Sequence, residues 1–234
     1  MKQIIAMGGG GFSMEPDNML LDTYILRQSN KATPKICFVP TASGDADSYI
    51  ARFYDFFRKQ SCVPSHLSLF KPPVRDLQRY ILDKDIIYVG GGNTKNLLAL
   101  WREWGLDIIL KKAWEQGVIL AGISAGSICW FEQGVTDSYG DELEPIDCLG
   151  FLKGSNCPHY DGEPNRRPTY QNFIKEKQIQ SGIAADDGVA IHYAGQKIHH
   201  IVSSRVDAKA YILGNHVDLS EKEVQPYFLG SELY

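Results

Sequence analysis

A serine stands between two glycines in Gly122-Ile123-Ser124-Ala125-Gly126, directly after the apolar run 118–121. Strand, G-x-S-x-G and then helix is the setting of a nucleophile elbow, in which a sharp turn lifts a serine out of a sheet and the glycines relieve crowding. The pattern alone is weak, because a serine can equally well cap a tight strand-to-helix turn. A hydroxyl attacks only when a base takes its proton, and the oxyanion it creates needs preorganised donors. The Ala125 amide, at a helix start just past the serine, is one candidate donor. Gly90-Gly91-Gly92 follows another apolar run and is a candidate for the second, or is simply a turn that starts a helix.

Six histidines are candidate bases: His66, His159, His192, His199, His200 and His216. His159 stands out, because Pro158 fixes the backbone before it and a polar, glycine-containing loop follows. His192 alternates with Val189, Ile191 and Tyr193 and reads as structural, whereas His199 and His200 read as surface or sheet residues without metal-ligand spacing. An acid must orient the imidazole. Asp187, in Ala185-Asp186-Asp187-Gly188, and Asp137, in Val135-Thr136-Asp137-Ser138, both sit at predicted turns, and composition does not choose between them.

The elements that must position these groups alternate along the chain. Short apolar runs at 3–7, 35–39, about 66–70, 85–89 and 118–121 predict strands. Segments of helical period at about 16–28, 49–57, 94–101 and 107–116 lie between them, with Asn93 or Thr94 placed to cap the third. This is the cadence of β-α-β units around a parallel sheet. From Gly134 on the segments shorten, with a helix near 169–177 and hairpin-like strands. No linker or repeat interrupts the 234 residues, so the expectation is one domain over 1–234.

With 44% apolar and 22% charged residues the composition is that of an ordinary globular chain, and a formal net charge of −4 gives no attraction to nucleic acid or anionic membranes. No apolar run has bilayer length. Five widely spaced cysteines, Cys37, Cys62, Cys129, Cys148 and Cys157, read as reduced thiols, and the location expected is cytoplasmic. Gly8-Gly9-Gly10-Gly11 is not a dinucleotide fingerprint, because Ser13 takes the place of its last glycine, and no metal or cofactor is expected.

Taken together, Phe38-Val39-Pro40-Thr41-Ala42, Val89-Gly90-Gly91-Gly92-Asn93-Thr94, Gly122-Ile123-Ser124-Ala125-Gly126-Ser127, Cys157-Pro158-His159 and Asp187-Gly188 resemble the peptidase E group of serine peptidases. That group includes aspartyl dipeptidases and, more distantly, cyanophycinases. The resemblance runs from about residue 2 to 213. It implies a class I glutamine amidotransferase-like fold: three layers, with a doubly wound, mostly parallel sheet and helices on both faces. It also implies Ser124 as nucleophile, His159 as base, Asp187 as third member with Asp137 as alternative, and Gly91 and Ala125 as oxyanion donors, acting on a small peptide. Aspartyl dipeptidases grip an acidic side chain with an arginine after the catalytic histidine. Arg166 and Arg167 lie in the corresponding place, although the residues between, Tyr160-Asp161-Gly162-Glu163-Pro164-Asn165, depart from the family pattern. Two rivals share parts of these motifs. An α/β-hydrolase esterase expects its histidine after its acid, the reverse of the order here. A binding protein would use the glycine clusters to cradle an anion.

Overall fold

The computed structural model describes residues 1–140, 142–214 and 220–233. Five parallel strands form its centre, β1 (Gln3–Met7), β2 (Lys35–Val39), β3 (Val63–His66), β4 (Ile86–Val89) and β5 (Ile119–Ile123), in the spatial order β1-β5-β4-β2-β3. Every residue of β1, β4 and β5 is buried, as expected of parallel strands covered on both faces. The two-residue strand period sends Ile5 and Met7 to one face and Ile4 and Ala6 to the other. The first face packs on α1 (Gly11–Met14), α2 (Leu20–Arg27) and α3 (Asp47–Phe57), where Phe12, Phe38, Tyr49 and Phe53 form an aromatic cluster. The opposite face packs on α4 (Leu77–Leu82), α5 (Thr94–Glu103) and α6 (Leu106–Glu115) through Leu77, Leu97, Trp101 and Leu110.

A second, six-stranded sheet is built from the segments after the short helix α7 (Ala125–Ile128). It contains β6 (Phe131–Thr136), β7 (Glu144–Asp147), β8 (Leu152–Cys157), β9 (Gly182–Ala185), β12 (Ala210–Gly214) and β13 (Ser220–Val224), in the order β13-β12-β9-β8-β6-β7. Phe131, Leu152 and Ile183 join it to the core beneath the α4–α6 layer, and α8 (Arg166–Lys175) covers its other face through Tyr170 and Ile174. Between β9 and β12 the chain returns to the first sheet as β10 (Val189–Ala194), antiparallel to β1, and β11 (Lys197–Ser203), antiparallel to β10. A short β14 (Tyr227–Phe228) closes that edge.

The expected strand at 66–70 starts three residues and ends four residues earlier. Val63 to His66 pair with Lys35 to Phe38, and Pro64 is accommodated because this is the edge strand. The helix expected over 16–28 is confined to Leu20–Arg27, with α1 separate from it. Asn93, rather than Thr94, caps α5, its side chain accepting from the Asn96 N–H at 2.8 Å.

Candidate active site

Strands of both sheets deliver their carboxyl ends to one place. From the first sheet come Gly8 and Gly9 after β1, Gly90 and Gly91 after β4, and Ser124 after β5; from the second come His159 after β8 and Asp187 after β9. Crevices at the carboxyl ends of parallel strands are where open α/β folds place ligands.

Ser124 has φ 57° and ψ −118°, a positive-φ conformation rare for a residue with a Cβ and a locally strained one. Its hydroxyl makes no capping hydrogen bond to α7, so capping does not account for the serine. The glycines beside it are required by space. A Cβ on Gly122 would lie 2.1 Å from Gly126 O, and one on Gly126 2.3 Å from Val89 O. Gly91 is pressed against the serine, since a Cβ there would be 3.1 Å from Ser124 Cβ. As the first residue of α7, Ala125 has no carbonyl one turn back for its N–H to reach. The Gly91 N–H donates to the Tyr49 hydroxyl at 3.3 Å, a long bond by hydrogen-bond standards.

His159 also has positive φ, 54°, and its Nδ1 lies 2.6 Å from Asp187 Oδ1. Asp187 sits at the corner where the chain leaves the second sheet for the first. Gly188 turns there with φ 83° and donates its N–H to Gly9 O at 3.0 Å, and Asp187 itself bridges in parallel to Gly9. The Asp187 N–H is held by Asp161 Oδ1 at 2.7 Å. Burial alone would raise the Asp187 carboxyl. The hydrogen bond and charge of His159, with Arg205 and Arg166 further off, hold it below the usual carboxylate value instead. Two glycines give the carboxylate its room: a Cβ on Gly9 would fall 1.9 Å from Asp187 Oδ1, and one on Gly162 2.6 Å from Oδ2.

The other sequence candidates lie elsewhere. Asp137 is exposed after β6 and makes no ion pair among the described residues, while its neighbour Ser138 accepts the Thr94 N–H at 2.7 Å. His192 is buried between Tyr24 and Gln3, and burial with nearby His199 and His200 pushes its pKa down to about 4. His66 bonds to Tyr54, and His216 lies outside the described residues. Arg166 is buried, with Nε 2.5 Å from Glu163 and one terminal nitrogen on Val135 O. Arg167 pairs with Glu221, whose carboxylate also accepts from Tyr160 and Gln171, and stacks over Tyr160 and Tyr211. Both guanidiniums are therefore occupied by carboxylates of the chain itself.

Three contacts were not foreseen from the sequence: Tyr49 beneath Gly91, Gly9 against Asp187, and Asp161, which the sequence offers as a binder of a free amino terminus or a solvated loop charge, on the Asp187 amide. Gly8-Gly9 was visible as a glycine cluster, but its use as a seat for an acid some 180 residues later was not.

Comparison with known proteins places this α/β chain among serine-type peptidases. The family follows from comparison with known proteins: the model of Peptidase family S51 matches residues 4–201, and the chain belongs to that family. It is 61% identical over 224 residues to the uncharacterized peptidase YgaJ of Bacillus subtilis (strain 168), covering 96% of this chain and 95% of that one. It is 27% identical over 158 residues to Peptidase E of Streptomyces coelicolor, covering 67% and 63% of the two chains. A crystal structure of a peptidase from an acI-B1 Actinobacterium has the same fold, with a TM-score of 0.64 at 18% identity over 97% of this chain and 95% of that one. The chain is thus a peptidase acting on peptide substrates, with the class I glutamine amidotransferase-like fold. Among the described residues no helix is long and apolar enough to cross a membrane.

Proposed function

We propose that the protein hydrolyses small peptides, dipeptides among them, through a triad of Ser124, His159 and Asp187. The observation that carries this reading is the His159–Asp187 hydrogen bond of 2.6 Å at the same strand ends as a serine held at positive φ. Asp187 fixes the imidazole with its proton on Nδ1, which leaves Nε2 to accept the serine proton. Ser124 Oγ attacks the scissile carbonyl carbon, and His159 then returns the proton to the departing amine. The acyl-enzyme is hydrolysed by water activated in the same way. The amides of Ala125 and Gly91 are the proposed donors to the oxyanion. For Gly91 this requires its N–H to exchange the long bond to Tyr49 for the stronger, charge-assisted one.

A preference for N-terminal aspartate through Arg167 requires a substrate to displace Glu221 from its hydrogen-bonded partners, and through Arg166 it requires the buried guanidinium to give up Glu163. Five free cysteines, three of them buried, suit a reducing compartment and support a cytoplasmic location.

The test is covalent labelling. A fluorophosphonate should add to the wild-type protein, with the mass shift on the peptide containing Ser124, and Ser124→Ala should neither label nor turn over a dipeptide library. Turnover by Ser124→Ala within tenfold of wild type would remove Ser124 from the mechanism.

A further inference from the structure

The first turn of α3 brings a polar atom into an otherwise apolar layer. Tyr49, Phe53, Phe56 and Phe57 are the buried residues of that helix, at helical spacing. The Tyr49 ring packs on Phe12 at 5.7 Å and edge-on to Phe38 at 4.9 Å, and a Cβ on Gly90 would lie 3.0 Å from its Cε1. The Arg52 guanidinium stands over the same ring at 5.0 Å. A ring enclosed in this way keeps its hydroxyl close to one place.

A phenol hydroxyl has one proton to give and lone pairs with which to accept. Tyr49 accepts the Gly91 N–H at 3.3 Å, and no carbonyl or carboxylate among the described residues takes its proton. The residue is only 7% exposed, and buried donors are seldom left unused. Its polar side-chain neighbour is the Ser13 hydroxyl, which donates to Gly10 O at 3.3 Å. Burial pushes the phenol above its ordinary value, against the pull of Ser13, the Gly91 N–H and Arg52, so the proton is kept at neutral pH.

We propose that Tyr49 is a catalytic residue, a third donor to the oxyanion: as Ser124 attacks, the phenol releases the Gly91 N–H and turns its own O–H onto the oxygen of the tetrahedral intermediate. This rests on the reading of Ser124 as nucleophile and Gly91 as oxyanion donor. No covalent bond changes at Tyr49. The electron pair displaced from the carbonyl π bond rests on the oxyanion, and the proton stays on the phenol.

The direction of the Gly91 N–H sets the geometry. Acceptors of one N–H lie within about 60° of its axis and about 2 to 2.5 Å from its hydrogen. An oxyanion held by Gly91 therefore comes within about 4 Å of the present Tyr49 oxygen. An O–H bond to an anion spans about 2.6 Å, so a shift of roughly 1.5 Å closes the gap at most. The anion also wins the proton from Ser13, because a charged acceptor binds about twice as strongly as a neutral one.

The same contact could instead make Tyr49 a plug that competes for the Gly91 N–H, and the two roles have opposite signs. Removing a plug would speed the reaction by about twofold to tenfold, the worth of an ordinary neutral hydrogen bond. Removing a donor to a full charge slows it by about tenfold to a hundredfold. The second effect is the larger, and a 3.3 Å bond puts the first at its low end.

The experiment is Tyr49→Phe, which keeps the ring and removes the O–H. Turnover of Ala-Leu is counted per Ser124 that reacts with excess fluorophosphonate, so unfolded protein does not enter. In Tyr49→Phe kcat should fall by about tenfold to a hundredfold while KM stays within about threefold of wild type, the pattern of an interaction made only in the transition state. The rate of fluorophosphonate labelling should fall with kcat, because the phosphonyl oxygen enters the same hole. Replacement of Tyr49 by a ring-fluorinated tyrosine restores an O–H and should return kcat to within about threefold of wild type near pH 7, where the phenol is still protonated.

A Tyr49→Phe enzyme as fast as wild type or faster would overturn the proposal, as would a loss confined to KM or one that the fluorinated residue does not restore. If Ser124 labels but Ala-Leu is not cut, the labelling rates carry the comparison, and equal rates for wild type and Tyr49→Phe overturn it. Failure of the wild-type protein to label at Ser124 would instead overturn the hydrolase reading itself.

Discussion

A methyl group on Gly9 should act as a wedge between Asp187 and His159. At that position a Cβ would stand 1.9 Å from Asp187 Oδ1 and 3.0 Å from His159 Nδ1. Ordinary contact begins near 3.4 Å, so the carboxylate oxygen must retreat by about 1.5 Å. The backbone cannot easily give way instead, because Gly9 O accepts the Gly188 N–H at 3.0 Å and the Gly8 N–H donates to Val189 O at the same distance. Retreat on that scale stretches the 2.6 Å bond to His159 past hydrogen-bonding range. Loss of the orienting acid costs up to roughly ten-thousandfold in kcat in the best-studied triad, or about 5 kcal/mol of barrier. The accompanying overpacking is expected to cost only about 1 to 3 kcal/mol of stability. Gly9→Ala should therefore stay folded by circular dichroism and thermal melting while losing most of its peptidase kcat. Because both changes remove one interaction, Gly9→Ala placed in an Asp187→Asn background should add little further loss. A folded Gly9→Ala enzyme within tenfold of wild-type kcat, or losses that simply multiply in the double variant, would refute the assignment of Asp187 as the acid that orients His159.

Further outcomes follow from the same geometry. Asp187→Asn should lower kcat by orders of magnitude, whereas Asp137→Asn, at an exposed position without an ion pair, should stay within a few-fold of wild type; the reverse ranking would move the orienting role. Gly126→Ala places its Cβ 2.3 Å from the backbone oxygen of Val89, where no side chain can swing away, and should lower Tm sharply instead of acting on kcat alone. Asp22 is fully buried, and burial pushes its carboxyl up to about 7 against the hydrogen bond from the Phe12 N–H. A folded carboxyl raised above its unfolded value of about 4 binds the extra proton in the native state, so its contribution to stability falls as pH rises from about 4 to about 7. Asp22→Asn keeps an acceptor for Phe12 and removes that titration. Its stability relative to wild type should rise across the same window by a few kcal/mol at most, and urea melts at pH 5 and 8 showing no relative change would refute the burial argument.

The parts of the fold legible in the sequence were those whose physics is local. β1, β2, β4 and β5 are apolar runs ended by glycine, proline or the elbow, and α3, α5 and α6 bury a face at helical spacing. The second sheet was not legible as a sheet. Its strands carry polar residues, as in Leu152-Lys153-Gly154-Ser155-Asn156-Cys157 and Ser220-Glu221-Lys222-Glu223-Val224, and partners come from distant segments. Helix α4 left little trace because only Leu77 and Ile81 are buried in it. Ser124 and His159 could be singled out because glycines and a proline mark their turns. Asp187 and Asp137 each sit in a turn after a strand, and only the return of the chain from β9 to β10 brings one of them onto His159. The arginines show the same limit: the partner of Arg167 is Glu221, on a strand 54 residues later.

That return also explains why the acid and the serine can be held independently. Ser124 is positioned by the first sheet, through the Gly122 and Gly126 contacts and the Ser124 N–H on Met7 O at 3.3 Å. His159 and Asp187 ride on β8 and β9, adjacent parallel strands of the second sheet, so their mutual geometry is set by a ladder that does not include β5. What ties the two assemblies is the Gly8–Gly9 segment: Gly9 bridges to Asp187, and a Cβ on Gly8 would be 2.3 Å from Asp186 O. Sheets packed through side chains tolerate small relative shifts, but backbone in contact with backbone does not. The two glycines therefore fix the distance from Asp187 and His159 to Ser124 as closely as the strands fix each group, and a change at either should disturb the relation between the sheets before it disturbs the sheets themselves.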